Sequence, residues 1–397
     1  MANRVAIVHD WLSGMRGGER CLEMFLRLYP EADVFTLLHV RGSTSPLIDA
    51  RVKRTSFVQW LPFSKHYYRA LLPLYPAAAA SLSLDGYNLV ISLSHAAAKN
   101  VTVPRAIPHV CYCFSPMRYI WDQAQHYFGR GLPAAWPLIK SLRHWDLEGA
   151  RGVDEFVGIS YFVAARIRCY YRRLAEVIYP PVETSWITPR KEGEQGSAFL
   201  YAGALVPYKR VDVVVEAFNR LGWPLWIVGT GSEAKKLKKQ ARANITFVGR
   251  VKDDELAQYY RNCRALVFPG TEDFGMIPVE CLAAGRPVVG AFSGGLAESV
   301  AGMRPWTNDY EIEPRNATGV FMNPYCKNPV EALIGALRVF VEHEGEYTSA
   351  ACVERSGCFS PDQFITAWES FLRRKGLAAF ALKRRESKYA QAKASVV

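Results

Sequence analysis

The chain has no apolar run long enough to span a bilayer: the best candidate, LLPLYPAAAASLSL at 71–84, is short and broken by Pro73 and Pro76. It has no h-region or cleavage site at its start, and VAIV within MANRVAIVHDW reads instead as a first β-strand. Its nine cysteines include no CxxC pair. The only close spacing is Cys111-x-Cys113 on an expected strand, where alternation puts both on one sheet face. Buried free thiols are therefore expected rather than a metal site, and with them a reducing, cytosolic compartment. There the sequon Asn316-Ala317-Thr318 has no glycosylation meaning. The Walker A spacing GxxxxGK[ST] and the dinucleotide fingerprint GxGxxG are both missing. So is any convincing DxD-like acidic pair or His/Cys cluster with ligand spacing, so no metal and no cofactor are expected. No nucleic-acid motif is visible, and nucleic acid is not an expected partner.

What is present describes a well-packed protein. At 397 residues the chain exceeds one ordinary core, and 50% hydrophobic with 22% charged residues fits a globular protein of two domains. The net charge of +12 is unevenly spread. Residues 1–183 carry 21 Lys and Arg against 14 Asp and Glu, residues 184–370 carry 20 against 22, and residues 371–397 carry 8 against 1. Basic residues interleave with aromatics in RVKRTSFVQWLPFSKHYYRALL (51–72) and RIRCYYRR (166–173). Arg51, Lys53, Arg54 and Lys65 thus suit an anionic membrane surface, or else a solvated basic face.

Strand–loop–helix units recur along the chain. VAIVHD (5–10) is followed by WLSGMRGGER and the amphipathic CLEMFLRLY. DVFTLL, NLVISLS and HVCYCF read as further buried strands, LIKSLRHWDLEGAR and FVAARIRCYYRRL as helices, and the paired prolines of VIYPPVE close the segment. After the polar patch TPRKEGEQGS (188–197) the alternation becomes regular. AFLYAGA, PLWIVGT, ITFVGR, ALVFPG and PVVGA are strands, separated by the helices of VDVVVEAFNRLG, SEAKKLKKQAR, DELAQYYRNC and MIPVECLAAG. Apolar strands alternating with helices predict parallel sheets covered on both faces. The expected architecture is two doubly wound α/β domains facing across a cleft, 1–187 and 188–370, with 371–397 as a helix end and basic tail. In such sheets ligands bind beyond the carboxyl ends of the strands.

Those strand ends carry the candidate chemistry. Gly17 and Gly18 in SGMRGGER allow close backbone approach, and the following helix start offers N–H groups to an anion. Lys209 and Arg210 end the loop of YAGALVPYKRVD beside another helix start, which suits a diphosphate or a solvated turn. Gly229 in VGTGSE and Arg250 in FVGR border turns that could admit a nucleobase edge or be simple tight turns. TEDFGMIPVE (271–280) sets Glu272 and Glu280 eight positions apart, one at a helix mouth and one along its face. Two carboxylates could be an acid/base pair, as in glycoside hydrolysis, or two acceptors for a polyhydroxylated ligand. A glutamate among MIPVECLAA needs a partner either way.

The combined pattern resembles the retaining GT-B nucleotide-sugar glycosyltransferases of family 4, whose hallmark is E-x7-E. The resemblance rests on HDWLSGMRGGER, SHAAAKNV, CYCFSPMRYIWD, VAARIRCYYRR, VIYPPVE, GALVPYKRVDVVVEAF and TEDFGMIPVECLAAGRPVV, so it covers nearly the whole chain. These stretches look closest to bacterial mannosyltransferases of O-antigen and exopolysaccharide assembly. The resemblance implies a nucleoside diphospho-sugar donor, GDP-mannose first, and a polyprenyl-diphosphate-linked saccharide acceptor at the inner membrane surface. It implies that Glu272 accepts from the sugar, that Phe274 and Gly275 give backbone contacts, and that Glu280 holds the ribose. Lys209 would neutralise the diphosphate, Gly17 and Gly18 would bring amides to the sugar phosphate, and Arg250 would border the base. Arg118 and Tyr119 in CYCFSPMRYIWD join the acceptor side. Two departures stand out. Many relatives have arginine at the position of Ala204, for which Arg210 could compensate. They also have histidine at the position of Phe114, whose task would pass to His95 or to backbone groups.

The implied chemistry is transfer with retention by front-face attack, the leaving diphosphate helping to remove the acceptor proton, without metal. A peripheral location on the cytoplasmic membrane is expected. Two rivals differ in class. A hydrolase requires Glu272 and Glu280 to face one another across a sugar, and a non-catalytic assembly factor is suggested by Phe114.

Overall fold

A computed structural model describes residues 4–307 and 312–381. The chain divides into two compact units. The first comprises residues up to Ile159, then Val163–Ile178 and the described residues from Phe364 onward. The second comprises Ser160–Phe162 and Tyr179–Gln363. The boundary thus falls at 178/179 and not at 187/188. Val182 N–H donates to the Phe359 carbonyl at 2.9 Å, and Ile187 is buried with the second sheet, which draws this stretch away from the first unit. Residues 382–397 of the expected basic tail lie outside the described residues.

The first unit is a seven-stranded parallel sheet in the order β3-β2-β1-β4-β5-β6-β7. Its strands are β1 Val5–His9, β2 Asp33–Thr36, β3 Val52–Thr55, β4 Leu89–Ser94, β5 His109–Cys113, β6 Glu155–Gly158 and β7 Ala175–Val177. The order reverses between β1 and β4, which creates a topological switch point at their carboxyl ends. Cys111 and Cys113 are buried and unbridged on β5, as alternation predicts. The Pro361–Arg374 helix, whose start is capped by Ser360 Oγ on Gln363 N (3.4 Å), sends Phe364 and Trp368 into the aromatic core of Phe25 and Tyr112. There Trp368 Nε1 donates to Tyr29 OH at 2.9 Å.

The second unit repeats the plan, with strand order β10-β9-β8-β11-β12-β14-β13. Its strands are β8 Ala198–Ala202, β9 Leu225–Val228, β10 Ile245–Gly249, β11 Cys263–Phe268, β12 Val288–Ala291, β13 Gly302–Met303 and β14 Gly319–Met322. Phe199, Tyr201, Ala265 and Val267 pack into one core and Leu200, Ala202, Leu266 and Phe268 into another. Alternate residues therefore bury opposite faces, which is why these strands read as continuous apolar runs. The switch point lies between β8 and β11.

Candidate active site

Each switch point carries an acid. In the first unit His9 and Asp10 close β1, and His95 follows β4. Asp10 is fully buried; Oδ1 accepts the amides of Ala97 and Ala98 at 2.6 Å each, and Oδ2 those of His95 at 2.6 Å and Ala96 at 3.1 Å. His95 Nδ1 lies 2.9 Å from the same carboxylate. Burial pushes the Asp10 pKa up, but the charge and ring hydrogen bond of His95 and the main-chain donors bring it to about 2. The acid thus shapes the turn after β4 and fixes His95 with Nδ1 as donor. Nε2 of the ring, whose side chain is 32% exposed, remains for an outside group. Trp11 holds the ring edge-on at 4.7 Å.

His9 is the buried neighbour. Among the described residues neither ring nitrogen meets a side-chain hydrogen-bond partner, and burial lowers the His9 pKa against the opposing pull of Glu19, Asp10 and the Trp11 main chain. A Cβ on Gly18 would sit 3.4 Å from His9 Nε2 and 3.4 Å from the Phe114 ring, so the start of the Gly17–Leu28 helix lies against both. The buried Glu19 accepts the Arg16 amide at 3.1 Å, which places a negative charge in the first turn that would receive an anion at Gly17 and Gly18. Phe114 presents an apolar ring 6.5 Å from His95. Arg118 Nε reaches Ser115 Oγ at 3.3 Å, beside Arg166, while Tyr119 packs on Tyr127 at 4.5 Å. Arg51 ends the Pro46–Arg51 helix, Lys53 and Arg54 lie on the edge strand β3, and Lys65 is exposed. Lys53 is engaged by Asp33 at 2.7 Å.

In the second unit Lys209, on the Pro207–Lys209 turn after β8, pairs with Glu272 from the loop after β11. The ammonium also lies 5.6 Å from the Phe268 ring. Gly295 N–H donates to the Glu272 carbonyl at 2.9 Å, fixing the loop. Gly275 starts the Met276–Ala283 helix with φ +87°, a conformation that glycine adopts without strain. Phe274 is buried against Tyr179 and Phe359, so its side chain serves the core. Glu280 is only 6% exposed and accepts from Tyr260 OH at 2.8 Å, the partner that its burial demands.

The remaining candidates are less engaged. Arg210 takes a left-handed conformation at the start of the Val211–Leu221 helix, with Nε 3.5 Å from Asp212. Gly229, at φ +136°, cannot carry a Cβ without striking the Gly203 carbonyl, so packing of two strand ends already requires it. Arg250 is exposed beyond β10, and Ala204 is exposed beyond β8. Asp10 and Tyr260 are missing from the sequence-derived candidates. A carboxylate immediately after an apolar strand was the available signal for Asp10; nothing local marks Tyr260. Among the described residues, no group of three or more His, Cys, Asp or Glu side chains could hold a metal ion.

The family model for glycosyl transferases group 1 matches residues 184–318. This stretch of the chain is a glycosyl transferases group 1 domain. It holds both glutamates and Lys209. The chain is 32% identical over 152 residues to an uncharacterised glycosyltransferase of Methanocaldococcus jannaschii, covering 37% of this chain and 42% of that one. It is 29% identical over 169 residues to a D-rhamnosyltransferase of Pseudomonas aeruginosa, covering 38% and 44%. It is 30% identical over 98 residues to an O-antigen chain mannosyltransferase of Escherichia coli, covering 23% and 26%. The chain therefore spans less than half the length of these curated relatives. Two solved structures share the fold beyond the group 1 domain. Anabaena HepE in complex with UDP has a TM-score of 0.66 at 16% identity, with 94% of this chain and 100% of that chain covered. Sucrose-phosphate synthase from Thermosynechococcus elongatus has 0.68 at 17%, with 95% and 100% covered. The fold is GT-B, built from two Rossmann-like domains.

Proposed function

We propose that this chain is a retaining glycosyltransferase that moves a hexose, mannose from GDP-mannose as first choice, to a polyprenyl-diphosphate-linked saccharide in surface-polysaccharide assembly. The observation that carries this reading is the Lys209–Glu272 pair at the β8/β11 switch point, inside the group 1 domain. The mannosyltransferase and rhamnosyltransferase relatives support the sugar and the setting. Glu272 takes the hydroxyls of the transferred sugar, and Glu280, oriented by Tyr260, takes the ribose. Lys209 takes the diphosphate, with Arg210 and helix N-termini adding positive potential. His95 offers Nε2 to a sugar hydroxyl, and its link to Asp10 fixes that orientation. The bond from the anomeric carbon to the diphosphate breaks, and a bond to the acceptor oxygen forms on the same face. The acceptor proton passes to a diphosphate oxygen, so neither a protein nucleophile nor a metal is required. The acceptor is membrane-borne and the protein works at the inner membrane face.

Glu272 and Glu280 take different partners from different elements, Lys209 and Tyr260, which fits two contacts along one donor better than an acid/base couple. Thermal stabilisation across GDP, GDP-mannose, UDP and UDP-glucose, followed by transfer assays with membrane extract, tests the reading. Lys209→Ala is expected to weaken nucleotide binding by roughly tenfold. Sugar released as fast without acceptor as with it would refute transfer. A second reading, a binding protein without turnover, is favoured only by Phe114; binding without transfer, with transfer gained in Phe114→His, would establish it.

A further inference from the structure

The segment after β3 is built to expose what proteins usually hide. From residue 50 to residue 84 the sequence has no Asp or Glu, and residues 51–72 contain five Lys and Arg. Two short turns, Phe57–Trp60 and Ser64–Tyr67, are joined through Leu61, Pro62 and Phe63. Val58, Ser64, Tyr68 and Leu72 are buried and pin the segment to the first unit. Ser56 Oγ fixes its entry, accepting from Val58 N and donating to the Leu37 carbonyl at 2.8 Å. Outward stand Trp60, 82% exposed, and Phe63, 74% exposed, with Tyr67 and Lys65 beside them. Phe63 sits at φ +53°, which disfavours a bulky residue, so the anchored turns hold it in a strained conformation.

We propose that Phe57–Tyr67 is a membrane-insertion wedge, with Trp60 and Phe63 entering the interfacial layer of an anionic phospholipid bilayer and Lys65 and Arg54 meeting its headgroups. Aromatic rings flanked by cations match the polarity gradient of that layer. A second copy is a poor occupant, because residues 50–84 carry Lys and Arg and no Asp or Glu, so two copies of the segment would bring like charges together. The proposal rests on the membrane setting of the proposed function, but vesicle binding requires neither donor nor acceptor.

The test is co-sedimentation of the full chain with phosphatidylcholine vesicles, with and without about 30 mol% phosphatidylglycerol. Wild type is expected to bind the anionic vesicles preferentially, and Trp60→Ser/Phe63→Ser to lose roughly tenfold or more in partitioning at unchanged thermal stability. Lys65→Glu/Arg54→Glu should erase the preference for anionic lipid. Wild-type binding by the double Ser variant would overturn the wedge. So would a concentration-dependent dimer of the wild type that the variant dissolves. With a short-chain soluble acceptor the double Ser variant should transfer as well as wild type, and with a vesicle-embedded acceptor it should not. Vesicle binding without transfer to either acceptor would sink the transferase reading and leave the wedge standing.

Discussion

Asp10 in the first unit and Glu272 in the second both stand at the carboxyl end of a sheet where the strand order reverses. The carboxylate of Asp10 receives four main-chain amides and the ring of His95, whereas that of Glu272 meets a lysine side chain. One acid is consumed in holding a turn; the other is held by a flexible cation at a partly open position. The two acids close different strands of their switch points, β1 and β11, and the proposed function gives a donor contact only to the second. It also shows why carboxylate position alone does not assign a role.

Substitutions can break this contrast, and the largest effect is expected at Glu272. Glu272→Ala should lower transfer by roughly three orders of magnitude while nucleotide affinity changes little, because the contact proposed for Glu272 is to the transferred sugar. Its thermal midpoint should stay close to that of wild type; comparable losses of nucleotide binding and of stability would erase the distinction. Asp10→Asn should act first on stability, costing about 3–5 kcal/mol in denaturant unfolding by leaving amide donors and His95 without their charge partner, with a smaller loss of transfer through a misoriented His95.

A pH titration of stability sharpens the same point. Asp10, held near pKa 2, contributes stability that is complete above the ordinary carboxylate range and lost as pH falls toward 2. His109 acts in a different window. Burial, opposed by a Gly152 backbone hydrogen bond and Asp154 and aided by Lys99, lowers it from 6.5 to about 4. The unfolded chain then takes up a proton that the folded chain refuses, so stability falls as pH drops from 6.5 to 4, by about 3 kcal/mol at the lower end. His109→Gln should flatten that limb in unfolding curves, and Asp10→Asn should flatten only the more acidic one. The smallest effect is expected from Tyr260→Phe, which deprives Glu280 of one donor: about 1 kcal/mol in stability and a several-fold rise in the donor KM, with kcat nearly unchanged.

The long buried strands and the helices between them were legible because period and apolarity agree; two doubly wound domains followed from their alternation, and GT-B from the family resemblance. Strand β3 was not legible. VKRT lies on an edge, largely exposed, and reads as a basic patch with no apolar alternation. Strands β6, β7, β13 and β14 were also missed; β7 Ala175–Val177 and β13 Gly302–Met303 are too short to declare a period. In the site, Glu272, Glu280 and Lys209 could be read because they crowd into short motifs at strand ends. The partners Asp10–His95 and Glu280–Tyr260 join residues 85 and 20 positions apart, and only the folded sheet brings them together.

The docking of Phe364 and Trp368 into the core around Phe25, Tyr29 and Tyr112 has a consequence for biosynthesis. Most of the first unit is translated first, yet its hydrophobic interior is completed by Phe364 and Trp368, which follow the whole second unit in the chain. On the ribosome it must wait with part of that interior uncovered, so the order in which this polypeptide is made differs from the order in which it is finished.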